Sequence, residues 1–240
     1  MPDPLKPLLD LEGVAAAAKS AQDAVFAVHR LPANLRSGAA TAAEASVRAA
    51  RASAGIDGAN PELPADGAVA DPILAGALRV GEQLESLLPT WRRAPMQALA
   101  RLHLLAAADL VTDLDALGRP RVGGPRLEML AELVAGGTSV PGPVLTAVVH
   151  GELLALKPFG SADGVVARAA ARLSMVATGL DPKSLTVPEV ACFRRVPKYL
   201  ELAEGFASGT PEGVRAWILF CCESFEAGAR EAKSISDAAG

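Results

Sequence analysis

Hydrophobic and polar positions alternate with a period of three to four residues along almost the whole chain, which is the period of an amphipathic helix. Over 13–29, Val14, Ala17, Ala21, Ala24, Val25 and Val28 share one face and predict a first helix. Thr41, with Glu44 three positions on, reads as an N-cap and capping box for a second helix. It runs through Val47, Ala50 and Ala54 and breaks near Gly55–Gly58. A loop rich in Pro, Gly and Ala follows from Asn60 to Asp71. The pattern predicts further helices over 72–88, 94–115, 125–136 and 141–156, then from Val165 to about Thr178 and over 187–207. Pro211, at a first turn, opens a last helix reaching about Asp237. Strand periodicity is nearly missing. The segment Gly118-Arg119-Pro120-Arg121-Val122, punctuated by Gly123, Gly124 and Pro125, reads as a small hairpin or extended flap. The expected fold is therefore all-α, a helical bundle with a short flap hairpin. It forms one domain over 1–240, because the N-terminal piece over 1–60 is too small for a core of its own.

Composition sharpens this picture. Half of the 240 residues are hydrophobic but only 4% are aromatic, and about one in five is Ala. Ala has little entropic penalty in a helix and lets helices approach closely. The net charge of -4 argues against a general nucleic-acid binder, whose affinity rests on neutralising phosphates. The apolar stretches, such as Leu102–Val111 with its His103 and Asp109, are too short to cross a bilayer. No signal peptide is expected from Met1–Leu11, which lacks a basic region before an apolar run. Cys192 stands alone and Cys221 and Cys222 are adjacent, poor geometry for a bridge, so a reducing cytoplasm is expected. His29 and His103 have no acidic or Cys partners at metal spacing.

The sharpest local feature is the loop between two predicted helices, Lys157-Pro158-Phe159-Gly160-Ser161-Ala162-Asp163-Gly164. Small residues before a helix start let backbone N–H groups converge at the positive end of the helix dipole, a place that attracts anions. Arg168 sits one turn into the next helix and Lys157 flanks the loop on the other side, which suggests a phosphate-sized site. An ordinary helix–loop–helix connection with solvated basic residues has the same sequence signature. His150, two turns before Lys157, either faces this site or is a hydrogen-bonded core residue. Arg194, Arg195 and Lys198 form a small basic patch beside Phe193 and Tyr199, which either serves a partner or a nucleotide or, the favoured reading, is a solvated face.

These residues resemble the signature of the Fic family, H-P-F-x-(D/E)-G-N-G-R-x-x-R. Residues 157–168 fill its twelve positions without a gap, with Pro158, Phe159, Gly164 and Arg168 matching. Ala147–Leu153 looks like the helix before the motif, and Leu180-Asp181-Pro182 and the Tyr199 helix fit its sequel. Ser53-Ala54-Gly55-Ile56-Asp57-Gly58 is similar to the family's inhibitory motif, (S/T)-x-x-x-E-(G/N), with Asp for Glu. The resemblance covers roughly residues 40 to 210. It implies a Fic-like bundle with a core over 72–210, an N-terminal inhibitory-type helix, and a C-terminal helix over 211–240. It further implies ATP or another nucleotide with Mg²⁺ as cofactor, and a protein target whose hydroxyl attacks the α-phosphate. A cytoplasmic bacterial protein is expected, with a homodimer as one partner arrangement. In the family, the flap aligns the target, a role that would fall to Arg119 and Arg121.

The departures fall on the family's catalytic positions. Lys157 stands where the family has its general-base His. A lysine amine, with a reference pKa of about 10.4, is protonated at neutral pH and accepts no proton. Ser161 replaces the acid that holds Mg²⁺ and is a weaker ligand for a hard dication. Asp163 replaces an Asn, where it either recruits a metal from a shifted position or repels phosphates. Ala162 replaces a Gly and Val165 the first Arg. The expected nucleotide- or phosphate-binding set is Phe159, Gly160, Ser161, Ala162, Asp163, Gly164 and Arg168. The inhibitory set is Ser53, Asp57 and Gly58, and the resemblance implies an ion pair between Asp57 and Arg168. Without the family, Asp57 reads as an Asx-type helix end before Gly58. Three functions stay open: an AMP-transferase-like protein impaired in catalysis that still binds a nucleotide or phosphate, an active transferase using Lys157 or Asp163, and a non-catalytic scaffold.

Overall fold

Proline sets where many of the helices begin. Its fixed φ suits a first helical turn, where its missing N–H costs nothing. A computed structural model of the chain describes residues 2–65 and 67–239; Met1, Asp66 in the 60–71 loop and Gly240 lie outside it. Helices opened by a proline are α2 (Pro32–Ile56), α3 (Pro72–Arg93), α4 (Pro95–Ala107), α8 (Pro188–Phe193) and α10 (Pro211–Ala239). The others are α1 (Val14–His29), α5 (Gly124–Glu132), α6 (Gly142–Leu156), α7 (Asp163–Ala177) and α9 (Val196–Ala207). Asp71 caps α3 by accepting from the N–H groups of Ile73 and Leu74.

Four sequence expectations are corrected. Thr41 is not an N-cap; α2 starts at Pro32, and Thr41 is buried inside it. Helix α3 runs on through Pro89 to Arg93 instead of ending at 88. The 187–207 helix is two helices, broken at Arg194–Arg195 shortly before Pro197. This is the break expected where the following ring disfavours helical φ/ψ. The flap hairpin does not form. Among the described residues there are no strands, and Gly118–Val122 is an irregular segment with Gly118 in the left-handed region.

Helix α6 occupies the centre. All its residues from Pro143 to Gly151 are buried, so it is apolar nearly all round, with Thr146 and His150 the polar exceptions. Its Leu145, Val148, Val149 and Leu153 join one core with α3, α4, α5 and α7. Its Val144 and Ala147 join a second core with α1, α9 and α10. Glycine makes the tightest crossings possible: there is no room for a Cβ on Gly76 against the Ala106 carbonyl, or on Gly213 against the Gly205 carbonyl.

Candidate functional site

The loop after α6 begins with Lys157, which ends that helix in the left-handed conformation, φ 46. Its N–H bonds the Leu153 carbonyl at 3.0 Å, a standard helix-end closure. The side chain of Lys157 is exposed. The turn is then held by Asp163, whose carboxylate accepts the N–H groups of Phe159 (2.9 Å) and Gly160 (2.8 Å). Two loop donors that a bound anion would need are thus taken by the chain's own carboxylate. Burial pushes the Asp163 carboxyl above its ordinary range, partly offset by those two hydrogen bonds and by nearby Lys157, and reinforced by Asp57.

Asp57 lies on the other side of Gly164. It caps the C-terminus of α2, and its Oδ2 is 2.8 Å from Nη2 of Arg168. A Cβ on Gly164 would lie 2.5 and 2.6 Å from the two Asp57 oxygens, so only glycine lets the carboxylate settle there. The Asp57 charge therefore rests at the positive end of the α7 dipole. Arg168 is buried and fully partnered. Nε donates to Ser53 Oγ (2.8 Å), Nη2 to the Ser53 carbonyl (3.0 Å), and Nη1 to the Tyr199 hydroxyl (3.3 Å). Ser53 and Asp57 reach one guanidinium because they are four residues apart at the end of one helix. Gly58, φ 94, turns the chain away with open space around it.

The phenol of Tyr199 extends this network. It receives Arg168, so its own proton goes to His150 Nε2, 2.8 Å away. Burial lowers His150 to a pKa of about 3, helped by the Arg168 charge. His150 is thus a neutral core residue that reaches the site only through Tyr199. One helical turn beyond Arg168, Arg172 makes a buried ion pair with Glu189 at 3.1 Å and bonds the carbonyls of Thr186 and Ser184.

His103 of α4 belongs to the site, although the sequence offers it no metal-type partners. It stacks on Phe159 with ring centroids 4.2 Å apart and 6° between planes. Its Nδ1 accepts the N–H of Gly118 at 2.9 Å, so Nε2 carries the proton and donates to Ser161 Oγ at 2.9 Å. One ring thereby fastens the flap and the loop together. A second tie is the Arg121 N–H to the Pro158 carbonyl, 2.7 Å. The available signal was a polar residue at a core position of α4, between Leu99, Leu102 and Ala106.

A divalent cation does not fit here. Ser161, at the family's metal position, is neutral and engaged by His103, and each oxygen of Asp163 already accepts a backbone N–H. Among the described residues no group of three or more His, Cys, Asp or Glu is placed to hold a metal. Arg119 is a surface residue 3.9 Å from Asp115. The basic patch is a solvated face of ion pairs, Arg194 to Glu231, Arg195 to Glu223 and Lys198 to Glu201. Cys192, Cys221 and Cys222 are buried free thiols. No helix is long and apolar enough to cross a membrane among the described residues.

No protein-family model matches the sequence, and no curated protein matches it. Among solved structures, the crystal structure of a Fic family protein from Desulfovibrio desulfuricans G20 is similar, with a TM-score of 0.72. The match covers 93% of this chain and 74% of that one at 18% sequence identity. At that identity the likeness concerns the fold.

Proposed function

Given a Fic fold with this loop, we propose that the chain is a catalytically impaired relative of the AMP transferases that retains a gated phosphate-binding turn. The turn consists of the α7 N-terminus and Arg168, and its gate is Asp57. The observation that carries the reading is the placement of two carboxylates against the groups a phosphate would use, Asp163 on the Phe159 and Gly160 N–H groups and Asp57 on the Arg168 guanidinium, packed over Gly164 at the start of α7. Like charge repels a nucleotide phosphate from both sides. The general-base position holds Lys157, which is exposed. Phosphate binding then requires Asp57 to leave Arg168, which returns a guanidinium and a helix N-terminus to the ligand together.

A thermal-shift titration tests this. At about millimolar ATP, with or without Mg²⁺, the wild type is expected not to move, while Asp57→Ala gains a few degrees. Incubation with labelled ATP and candidate target proteins is expected to give no transfer. Label transfer that disappears in Lys157→Ala overturns the impaired-catalysis reading.

A further inference from the structure

The phosphate turn makes no use of the buried Arg172–Glu189 ion pair, although it lies one helical turn beyond Arg168 on α7. That pair fastens α8. The start of α8 is also pressed against α10, where a Cβ on Gly228 would lie 2.6 Å from the Pro188 nitrogen and the Val187 N–H bonds the Gly228 carbonyl at 3.2 Å. Helix α8 is short and ends at Phe193. The Phe193 ring is seated on α2, where a Cβ on Gly55 would lie 2.5 Å from its Cε2 and 3.0 Å from Cδ2 and Cζ. The ring therefore fills the place of the side chain that Gly55 lacks. Ser53 and Asp57, four residues apart, share the face of α2 that meets Arg168. Gly55 lies two residues from each, about 200° round the helix, so it looks the opposite way. The last turn of α2 is thus held from two sides, by the Arg168 guanidinium in front and the Phe193 ring behind. Both are carried by α7, Arg168 directly and Phe193 through the Arg172–Glu189 pair.

We propose that Phe193 is a positioning residue for the gate: its ring backs the last turn of α2 and keeps Asp57 on Arg168. The proposal rests on the reading of Asp57 as the gate of the phosphate turn. Phe193 is 36% exposed, so the ring that backs the gate also has a solvent side. Removing the ring leaves a glycine, the least conformationally restricted residue, facing water at this point of the turn. Asp57 then leaves Arg168 more often, and the guanidinium and the α7 N-terminus are freed with it.

The test uses the full chain labelled with ¹⁵N. It reads the exchange of the Arg168 Nε–H, the buried donor to Ser53 Oγ, against that of the Trp217 indole N–H, which donates to the Ala147 carbonyl. Phe193→Ala is expected to speed exchange at Arg168 about tenfold and leave Trp217 unchanged. Phe193→Leu, which keeps an apolar side chain behind Gly55, is expected to retain most of the protection. Leu200→Ala, which removes an exposed leucine of α9, is expected to change neither resonance. Unchanged exchange at Arg168 in Phe193→Ala, equal acceleration at Trp217, or an equal effect of Leu200→Ala each overturns the proposal. Ligand binding is read separately, by thermal shift with ATP. Where Asp57→Ala gains a shift, Phe193→Ala is expected to gain about half of it, and no gain there overturns the proposal. No gain in Asp57→Ala itself overturns the phosphate reading, and exchange at Arg168 still decides whether Phe193 backs α2.

Discussion

Gly164 is where residue-level physics decides the state of the site. In an ordinary helix, Gly→Ala gains about 0.5–1 kcal/mol from backbone entropy and propensity. Here the added methyl would meet both Asp57 oxygens at 2.5 and 2.6 Å, so Gly164→Ala must push the carboxylate off Arg168. We expect Gly164→Ala to destabilise the wild type by about 1–2 kcal/mol but to be neutral or stabilising in an Asp57→Ala background. Urea unfolding of the four proteins in the cycle checks this, and additive effects would show that Gly164 and Asp57 are not coupled. Arg168→Met removes a buried charge that serves Ser53, Asp57 and Tyr199 at once. A loss of about 3 kcal/mol or more is expected, read as a lower urea midpoint at unchanged m-value. The pairing of Asp57 with Arg168 was legible only through the resemblance of both segments to the family's motifs, since residue pattern alone makes Asp57 an Asx-type helix end before Gly58. The role of His103 was not, because nothing in the spacing of α4 says that its one buried imidazole faces a loop 58 residues away.

At the scale of elements, the flap is the segment that long-range contacts shape most. No local pattern dictates its path, since Pro120 has no N–H and Gly118 and Gly123 adopt positive φ. Its position depends on His103 Nδ1 and the Pro158 carbonyl. This is why a hairpin expected from turn residues becomes an irregular strap. The same logic explains the helix boundaries. The starts of α3, α4 and α6, each marked by a proline in the first turn, were readable to within a residue or two, whereas α2 opens at Pro32 well before the expected start at Thr41. Boundaries set by burial were not readable: Thr41 mimics a cap but lies in the core, and α3 keeps its register through Pro89 because Trp91 is buried beyond it. His103→Phe is the sharp probe of the strap. It keeps the stack on Phe159 but removes the acceptor for Gly118 and the donor for Ser161. Amide exchange at Gly118 and Arg121 is expected to speed up by about tenfold while α6 amides are unchanged. Unchanged exchange at Gly118 would mean that the imidazole does not hold the flap.

At the scale of the whole molecule, α6 and α7 join the two cores, and one polar chain, Ser53–Arg168–Tyr199–His150, runs through the junction from α2 to α6. A low-aromatic, Ala- and Gly-rich composition lets backbones meet at Gly76 and Gly213, so the bundle tolerates few added atoms. The junction also makes stability depend on pH. His150 has a folded pKa of about 3, below the ordinary 6.5 of an imidazole, because burial and then Arg168 disfavour its charge. Between those two values the unfolded chain binds a proton that the folded chain refuses. The His150 contribution is therefore fully present above pH 6.5 and is lost as pH falls toward 3. The slope from this residue alone approaches about 1.4 kcal/mol per pH unit. His103 is lowered for the same main reason, burial, and acts in the same direction. His150→Gln keeps an acceptor for the Tyr199 proton but does not titrate. Between about pH 6 and 4.5, above the ordinary carboxylate range, urea unfolding of the wild type is expected to show falling stability with falling pH. The variant is expected to show a distinctly flatter dependence, the remainder being the balance of His103, which acts in the same direction, and Asp163, whose raised carboxyl acts in the opposite one. Equal slopes in the two proteins would mean that His150 is charged in the folded state, and the polar chain through the junction would have to be redrawn with an imidazolium beside Arg168.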